Sequence, residues 1–115
     1  MSTIGHLDIK STDLNRAQTF YESVLGVKFF KVSDTYIRAS MKRKPDIALS
    51  LVDEVANGET FCPYLEVDDL HGATSVVRKL DGILVSEPWI LEENKVEMIK
   101  VKDTEGNIIG LFRYL

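Results

Sequence analysis

The 115-residue chain has little cysteine and proline: one cysteine, Cys62, and three prolines. A single cysteine excludes an internal disulfide framework and the paired cysteine spacing of a structural zinc site. The chain also lacks an apolar run near the roughly 20 residues that span a bilayer. Its first residues lack the cationic and apolar regions of a signal peptide. We therefore expect a cytoplasmic protein with no membrane partner.

An excess of basic residues is missing as well. The formal net charge is −4, whereas binding to a phosphate backbone requires a basic face. The hydrophobic content of 44% and the charged content of 28% are ordinary for a globular protein, and the length suits one domain with a modest core. We therefore expect no nucleic-acid partner.

The first half of the sequence reads as a strand, a helix and three further strands. Residues Ile4–Lys10 alternate between apolar and polar, which is typical of a half-buried strand. Asp13 is placed to cap a helix, and Gly26 is suited to its left-handed end. The apolar stripe of this helix consists of Leu14, Ala17, Phe20, Tyr21, Val24 and Leu25. The predicted strands that follow are Val27–Val32, Tyr36–Met41 and Ile47–Val52.

The same order recurs after a connector predicted at Asp53–Glu59. A strand is predicted at Phe61–Val67, followed by a helix that Asp69 caps and Gly82 ends. The apolar stripe of this second helix consists of Leu70, Ala73, Val76, Val77 and Leu80. The strand-like runs that follow are Ile83–Val85, Trp89–Leu91, Lys95–Lys102 and Asn107–Phe112.

A shift of 56 residues superposes the two halves, bringing Asp13 onto Asp69 and Gly26 onto Gly82. The sequence therefore predicts an α+β domain made of two tandem βαβββ units, one at about 1–55 and the other at about 60–115. Each half would expose an apolar sheet face that needs a partner.

Three stretches carry a resemblance to a known family. The first contains His6-Leu7-Asp8-Ile9, Asp13–Ala17, Phe20-Tyr21 and Leu25–Phe29; the second is Tyr64–Leu70; and the third is Asp103–Phe112. In this order they resemble the vicinal-oxygen-chelate superfamily, which includes glyoxalase I, fosfomycin- and bleomycin-resistance proteins and extradiol dioxygenases. The pattern is most similar to a metal-poor branch described as related to lactoylglutathione lyase. The resemblance implies the paired βαβββ architecture, in which curved mixed sheets lie around a cleft and the helices pack outside.

The resemblance also implies where a metal would sit, namely on the first and last strands of the units. His6 and Cys62 occupy the two first-strand places, and Gly110 stands where most metal-dependent members carry a glutamate. The matching strand of the first unit offers Ala48 or Ser50. Because a catalytic metal usually needs three protein ligands, we expect no catalytic metal. His6 and Cys62 remain weak candidate ligands for zinc, nickel, iron or manganese.

Strand parity selects most of the residues expected to line the cleft; the resemblance adds Trp89, which follows Pro88 in a region that often edges the pocket of this fold, and Lys100 is included as a possible partner of a ligand anion. The expected lining residues are His6, Asp8, Tyr36, Arg38, Cys62, Tyr64, Glu66, Trp89, Lys100 and Phe112. Aromatic rings with a few polar groups are typical of a small-molecule site. The same rings could instead fill the cleft themselves, which would leave no room for a ligand.

We weigh three functions against these residues. The first is a metal-independent protein of the bleomycin-resistance type that binds a metabolite or a drug-like molecule. The second is a lyase or isomerase acting on a small carbonyl metabolite, with a divalent metal or with His6 as base. The third is a structural or regulatory module. The resemblance further implies a homodimer.

Overall fold

The computed structural model of the chain describes residues 4–43, 45–55, 62–92 and 95–115. The chain divides into two compact units, Met1–Ala56 and Asn57–Leu115. Part of the predicted connector Asp53–Glu59 and the predicted strand start at Phe61 lie outside the described residues. Each unit combines one described helix with one mixed sheet, as expected for an α+β fold.

The first unit follows the predicted order. Its elements are β1 (His6–Ser11), α1 (Leu14–Leu25), β2 (Phe30–Ser33), β3 (Tyr36–Ala39) and β4 (Asp46–Leu51). The four strands form one sheet in the order β1-β4-β3-β2. β1 runs parallel to β4, and the other neighbours are antiparallel. The βαβββ prediction is confirmed for this half.

The predicted boundaries of α1 are confirmed by both of its caps. The Asp13 carboxylate accepts a hydrogen bond from the Arg16 N–H at 3.1 Å, which satisfies a first-turn donor. Gly26 ends the helix with φ 68° and donates its N–H to the Glu22 carbonyl. The helix contacts β4 and buries Phe20 and Tyr21 completely. Burial of each such ring contributes about 1.5–3 kcal/mol.

The second unit has the same order with one difference. Its elements are β5 (Tyr64–Glu66), α2 (Leu70–Lys79), β6 (Ile83–Leu84), β7 (Trp89–Leu91), β8 (Val96–Lys102) and β9 (Ile108–Tyr114). The sheet order is β5-β9-β8-β6, and β7 also pairs with β8. β6 and β7 together therefore occupy the edge that β2 occupies in the first unit. Pro88, which has no N–H to donate, lies in the gap between them.

The end of α2 differs from the prediction. Gly82 was expected to end the helix, but Leu80 is the C-cap and the left-handed residue is Asp81, with φ 68°. Aspartate tolerates this conformation better than most residues because its short side chain forms local hydrogen bonds. Gly82 still donates its N–H to the Val77 carbonyl at 2.8 Å. The prediction is therefore wrong about the residue, although the helix ends in this segment.

Candidate functional site

The strand register gathers several predicted site residues on one face of the first sheet. We call it the first polar face, and it consists of His6, Asp8 and Lys10 of β1, Asp46, Ala48 and Ser50 of β4, and Tyr36 and Arg38 of β3. Ile9, Ile47 and Leu49, on the alternate positions, are buried. The alternation of the strands thus places four of the ten expected site residues on a shared surface.

Three of these residues form a hydrogen-bonded group that we call the His6 cluster. Nε2 of His6 lies 2.5 Å from Oδ1 of Asp8 and 2.8 Å from the hydroxyl oxygen of Tyr36. The Tyr36 hydroxyl also donates to Oδ1 of Asp8 at 2.9 Å. The His6 and Asp8 side chains are 36% and 38% exposed, so the cluster remains open to solvent. It is a polar group that a ligand can reach.

The cluster changes the ionisation of two of its members. Burial alone would raise the pKa of Asp8, but hydrogen bonds from His6 and Tyr36 outweigh it and hold the pKa below its ordinary value of 3.8. Burial and the hydrogen bond to Asp8 raise the pKa of Tyr36 above 10.0, against a smaller opposing effect of Arg38. At neutral pH the cluster therefore contains an ionised Asp8 and a neutral Tyr36.

Arg38 is held beside the cluster by a carboxylate that the sequence analysis missed. Nη2 of Arg38 lies 3.1 Å from Oδ2 of Asp46, whose side chain is only 3% exposed. The other oxygen of Asp46 accepts the N–H of Met41 at 3.1 Å. Nε of Arg38 is buried with no acceptor among the described residues. The one signal in the sequence that could have indicated Asp46 is its strand parity with Ala48 and Ser50, which puts all three residues on the same face of β4.

The corresponding face of the second sheet is largely aromatic. We call it the second polar face only because it corresponds to the first polar face of the other unit. It consists of Tyr64 and Glu66 of β5, Gly110 and Phe112 of β9, Met98 and Lys100 of β8, and Trp89 of β7. The Tyr64 and Trp89 rings meet edge to face with centroids 6.4 Å apart. Such pairs add about 0.5–1.5 kcal/mol beyond their burial. Ring–ring contacts are therefore a main feature of this face.

The Tyr64 ring covers Gly110 directly. A Cβ atom on Gly110 would overlap Cδ2 of the Tyr64 ring. Tyr64 and Gly110 are register partners on parallel strands. The glycine thus makes room for the ring, and a side chain at residue 110 would displace it.

Cys62 precedes β5 and is half-buried. It lies two residues before Tyr64, outside the paired strand. Cys62 is therefore close in sequence to the second polar face, but it is not paired with a neighbouring strand as Tyr64, Glu66, Lys100 and Phe112 are.

The residues at the expected ligand places do not fit a catalytic metal. Nε2 of His6 is already engaged by Asp8 and Tyr36, and the place of the missing glutamate at Gly110 is covered by the Tyr64 ring. Within the described part of the chain, no group of three or more His, Cys, Asp and Glu side chains is arranged to hold a metal ion. A metal usually needs three such ligands.

A separate groove of about 330 Å³ lies in the second unit, away from the second polar face. It is lined by Asp68, Asp69, Leu70, His71, Thr74, Pro88, Glu97 and Arg113. Two of these lining residues form an ion pair, in which Nε of Arg113 lies 2.8 Å from Oε1 of Glu97. No sequence pattern indicates this groove, because its lining residues come from the start of α2, from the loop at Pro88 and from the opposite face of β8 and β9.

Comparison with known proteins places the chain in a family. The model of the Glyoxalase/Bleomycin resistance protein/Dioxygenase superfamily matches residues 3–111. A glyoxylase-like domain-containing protein of Didymella fabae is 32% identical over 114 residues, covering 90% of this chain and 88% of the relative. Among the helices that the structure describes, none is long and apolar enough to cross a membrane.

Solved structures share the fold at low sequence identity. A glyoxalase/bleomycin resistance protein/dioxygenase family enzyme from Burkholderia phytofirmans PsJN has a TM-score of 0.81 and 16% identity, covering 99% of this chain and all of the other. The fosfomycin resistance protein FosX from Listeria monocytogenes has a TM-score of 0.78 and 12% identity, covering 100% of this chain and 95% of the other. The chain belongs to the glyoxalase/bleomycin resistance protein/dioxygenase superfamily.

Proposed function

We propose that the chain binds a small metabolite or drug-like molecule on its first polar face, without a catalytic metal. The observation that carries the proposal is the His6 cluster with Arg38 beside it: a solvent-open group of hydrogen-bonding side chains on one sheet face. Polar side chains held in fixed geometry give a ligand orientation and specificity. The names of the structural relatives, which include bleomycin and fosfomycin resistance, support a drug-like or metabolite ligand.

The second polar face is the other surface that we propose for ligand contact. Tyr64, Trp89 and Phe112 offer ring faces and edges, and Lys100 offers a charge. Aromatic rings cover apolar ligand bodies well, and they also stack on aromatic ligands.

The test is a thermal-shift panel of small metabolites and antibiotics, followed by ¹⁵N NMR mapping of each compound that raises Tm. We expect the shifted resonances to include those of His6, Tyr36 and Arg38. His6→Ala should weaken binding at least several-fold, and His71→Ala, at the other histidine of the chain, is the matched control. If no compound moves Tm, or if His71→Ala weakens binding as much as His6→Ala, the proposal fails and a structural or regulatory module is favoured.

A lyase or isomerase acting on a small carbonyl metabolite is the second candidate function. The contact between His6 and Asp8 favours it, because a carboxylate beside an imidazole is a common arrangement for a general base. Elemental analysis of untagged protein distinguishes this metal-free route from a metal-dependent one. Stoichiometric zinc, nickel, iron or manganese that disappears in His6→Ala would favour the metal-dependent reaction.

We also propose a homodimer and a cytoplasmic location, both from the sequence. The edge strands β2 and β7 expose Phe30, Val32 and Ile90, which supports association because exposed apolar edge strands need cover. Light scattering that gives a particle of twice the 13.0 kDa chain mass would support the dimer. A particle of the chain mass at micromolar concentration would contradict it.

A further inference from the structure

The groove of about 330 Å³ in the second unit is a concave surface that the proposed function does not use. Its sheet wall is formed by Glu97 and Arg113, which are register partners on β8 and β9. Strand parity puts this pair on the face opposite to Lys100 and Phe112. The volume suits one small ligand, since ligand pockets begin at about 300 Å³. The groove is therefore a candidate site of its own.

Most charged groups of the groove are compensated within the protein, and one is not. The Asp69 carboxylate caps α2 and accepts the Gly72 N–H at 2.9 Å. Oε1 of Glu97 accepts Nε–H of Arg113 at 2.8 Å, so these two charges balance. Asp68 is exposed and has no hydrogen bond or ion pair with the described part of the chain. The groove thus presents one carboxylate that lacks a counter-charge.

Two further lining groups have acceptor capacity that the protein does not use. Thr74 is only 8% exposed, and its hydroxyl donates to the His71 carbonyl at 2.8 Å. A hydroxyl has one hydrogen and two lone pairs, and no described residue donates to this oxygen. Oε2 of Glu97 has no donor among the described residues either. A buried oxygen that lines a groove gains from a donor in the groove, because water or a ligand must satisfy it there.

We propose that this groove binds a small primary amine in its ammonium form. An ammonium group carries one positive charge and three N–H donors, which match the uncompensated Asp68 carboxylate and the unused acceptors of Thr74 and Glu97. The alkyl chain of the amine contacts Leu70 and Pro88, the apolar residues of the lining. This site is separate from the first polar face, since all of its lining residues belong to the second unit.

The ligand class is tested by ¹⁵N NMR titration of the full chain at pH 7 with butylamine, which is protonated at this pH as a lysine side chain is. We expect saturable shifts at Leu70, Thr74 and Arg113. Butyltrimethylammonium keeps the charge without an N–H donor, and butanol keeps the chain without the charge. Each should bind about three- to tenfold more weakly than butylamine, the effect of one or more lost hydrogen bonds.

Three results of that titration overturn the proposal. The first is the absence of saturable shifts at the groove with butylamine. The second is equal binding of butylamine and butyltrimethylammonium, which would show that charge alone acts. The third is displacement of butylamine by an equal concentration of magnesium ions, which would show an unspecific acidic surface.

Variants locate the contacts. Asp68→Asn should weaken butylamine about three- to tenfold, whereas Asp53→Asn, at another exposed aspartate, should not change its affinity. Thr74→Val removes the hydroxyl and should weaken binding by a similar factor. Its control is Thr19→Val, because the exposed Thr19 hydroxyl also donates to a helix carbonyl, that of Asn15. Unchanged affinity in Asp68→Asn, or an equal loss in Asp53→Asn, overturns the site, and this pair decides the result even if Thr74→Val does not fold.

Discussion

The two sheets place a row of three residues at the same position, and the rows differ in chemistry. In the first unit the row consists of Asp8, Ala48 and Arg38. In the second unit it consists of Tyr64, Gly110 and Lys100. In the first row, charged residues lie on both sides of a small alanine. Asp8 is hydrogen-bonded to His6 and Tyr36, and Arg38 is hydrogen-bonded to Asp46. The second row places an aromatic ring on a glycine.

The difference shows that the same strand arrangement can present two chemically different surfaces. Strand pairing fixes which residues share a face, whereas the side chain at the middle of the row decides what its neighbours can do. The middle residue is small in both rows: the Tyr64 ring lies directly on Gly110, and Ala48, the register partner of Asp8 and Arg38, is fully buried. Four predictions test this contrast.

The largest effect is expected at the carboxylate that holds the first row. Asp46→Ala should lower the free energy of unfolding by about 2–4 kcal/mol, because it leaves the Met41 N–H and Arg38 without their acceptor. Urea denaturation measures the change. Asp34→Ala, which breaks the exposed pair with Lys31, should cost under about 0.5 kcal/mol. Similar losses in the two variants would contradict the buried role of Asp46.

The second row should resist a side chain at its centre. Gly110→Glu should lower stability by about 1–3 kcal/mol, because the new Cβ overlaps the Tyr64 ring. Adding Tyr64→Ala should recover part of the loss, so the double variant should be more stable than the sum of the single effects. Gly5→Glu is the matched control, since no atom lies within 4 Å of its Cβ position. Strict additivity of the two changes would argue against the overlap.

Acid should weaken the hydrogen bonds of Asp8 on the first polar face. The folded-state pKa of Asp8 lies below its ordinary value of 3.8, so the stability from its ionised form is present above pH 3.8 and is lost as pH falls through the lower value. The difference in unfolding free energy between the wild type and Asp8→Asn should therefore shrink between pH 5 and pH 2. A constant difference would refute the link between the cluster and acid stability.

The smallest effect is expected in alkali. Because folding raises the pKa of Tyr36 above 10.0, its contribution is present below pH 10 and is lost as pH rises through the folded-state value. Phenolate absorbance above pH 10 should include the Tyr36 phenol, and Tyr36→Phe should reduce that late absorbance by one phenol. At pH 7, Tyr36→Phe should lower the free energy of unfolding by about 0.5 kcal/mol, because it removes the hydrogen bond of a half-exposed hydroxyl. Tyr114→Phe should leave the late-titrating phenol in place.

Much of the fold could be predicted because its signals are local. Asp13 and Asp69 act as helix caps in the structure, and the alternation in the first strand puts His6 and Asp8 on one face. A shift of 56 residues aligns the first strand and the helix of the two units. A longer shift is needed to align β3 with β8 and β4 with β9, because the edge strand of the second unit is interrupted near Pro88.

The sequence by itself determined the repeated order of elements, the helix caps and the parity of each strand, because these depend on neighbouring residues. Only the tertiary structure decided that Tyr36 reaches His6 and Asp8 from another strand, that Asp46 holds Arg38, and that the Tyr64 ring covers Gly110. Such contacts depend on strand register and on the length of each side chain, and they join residues far apart in the chain.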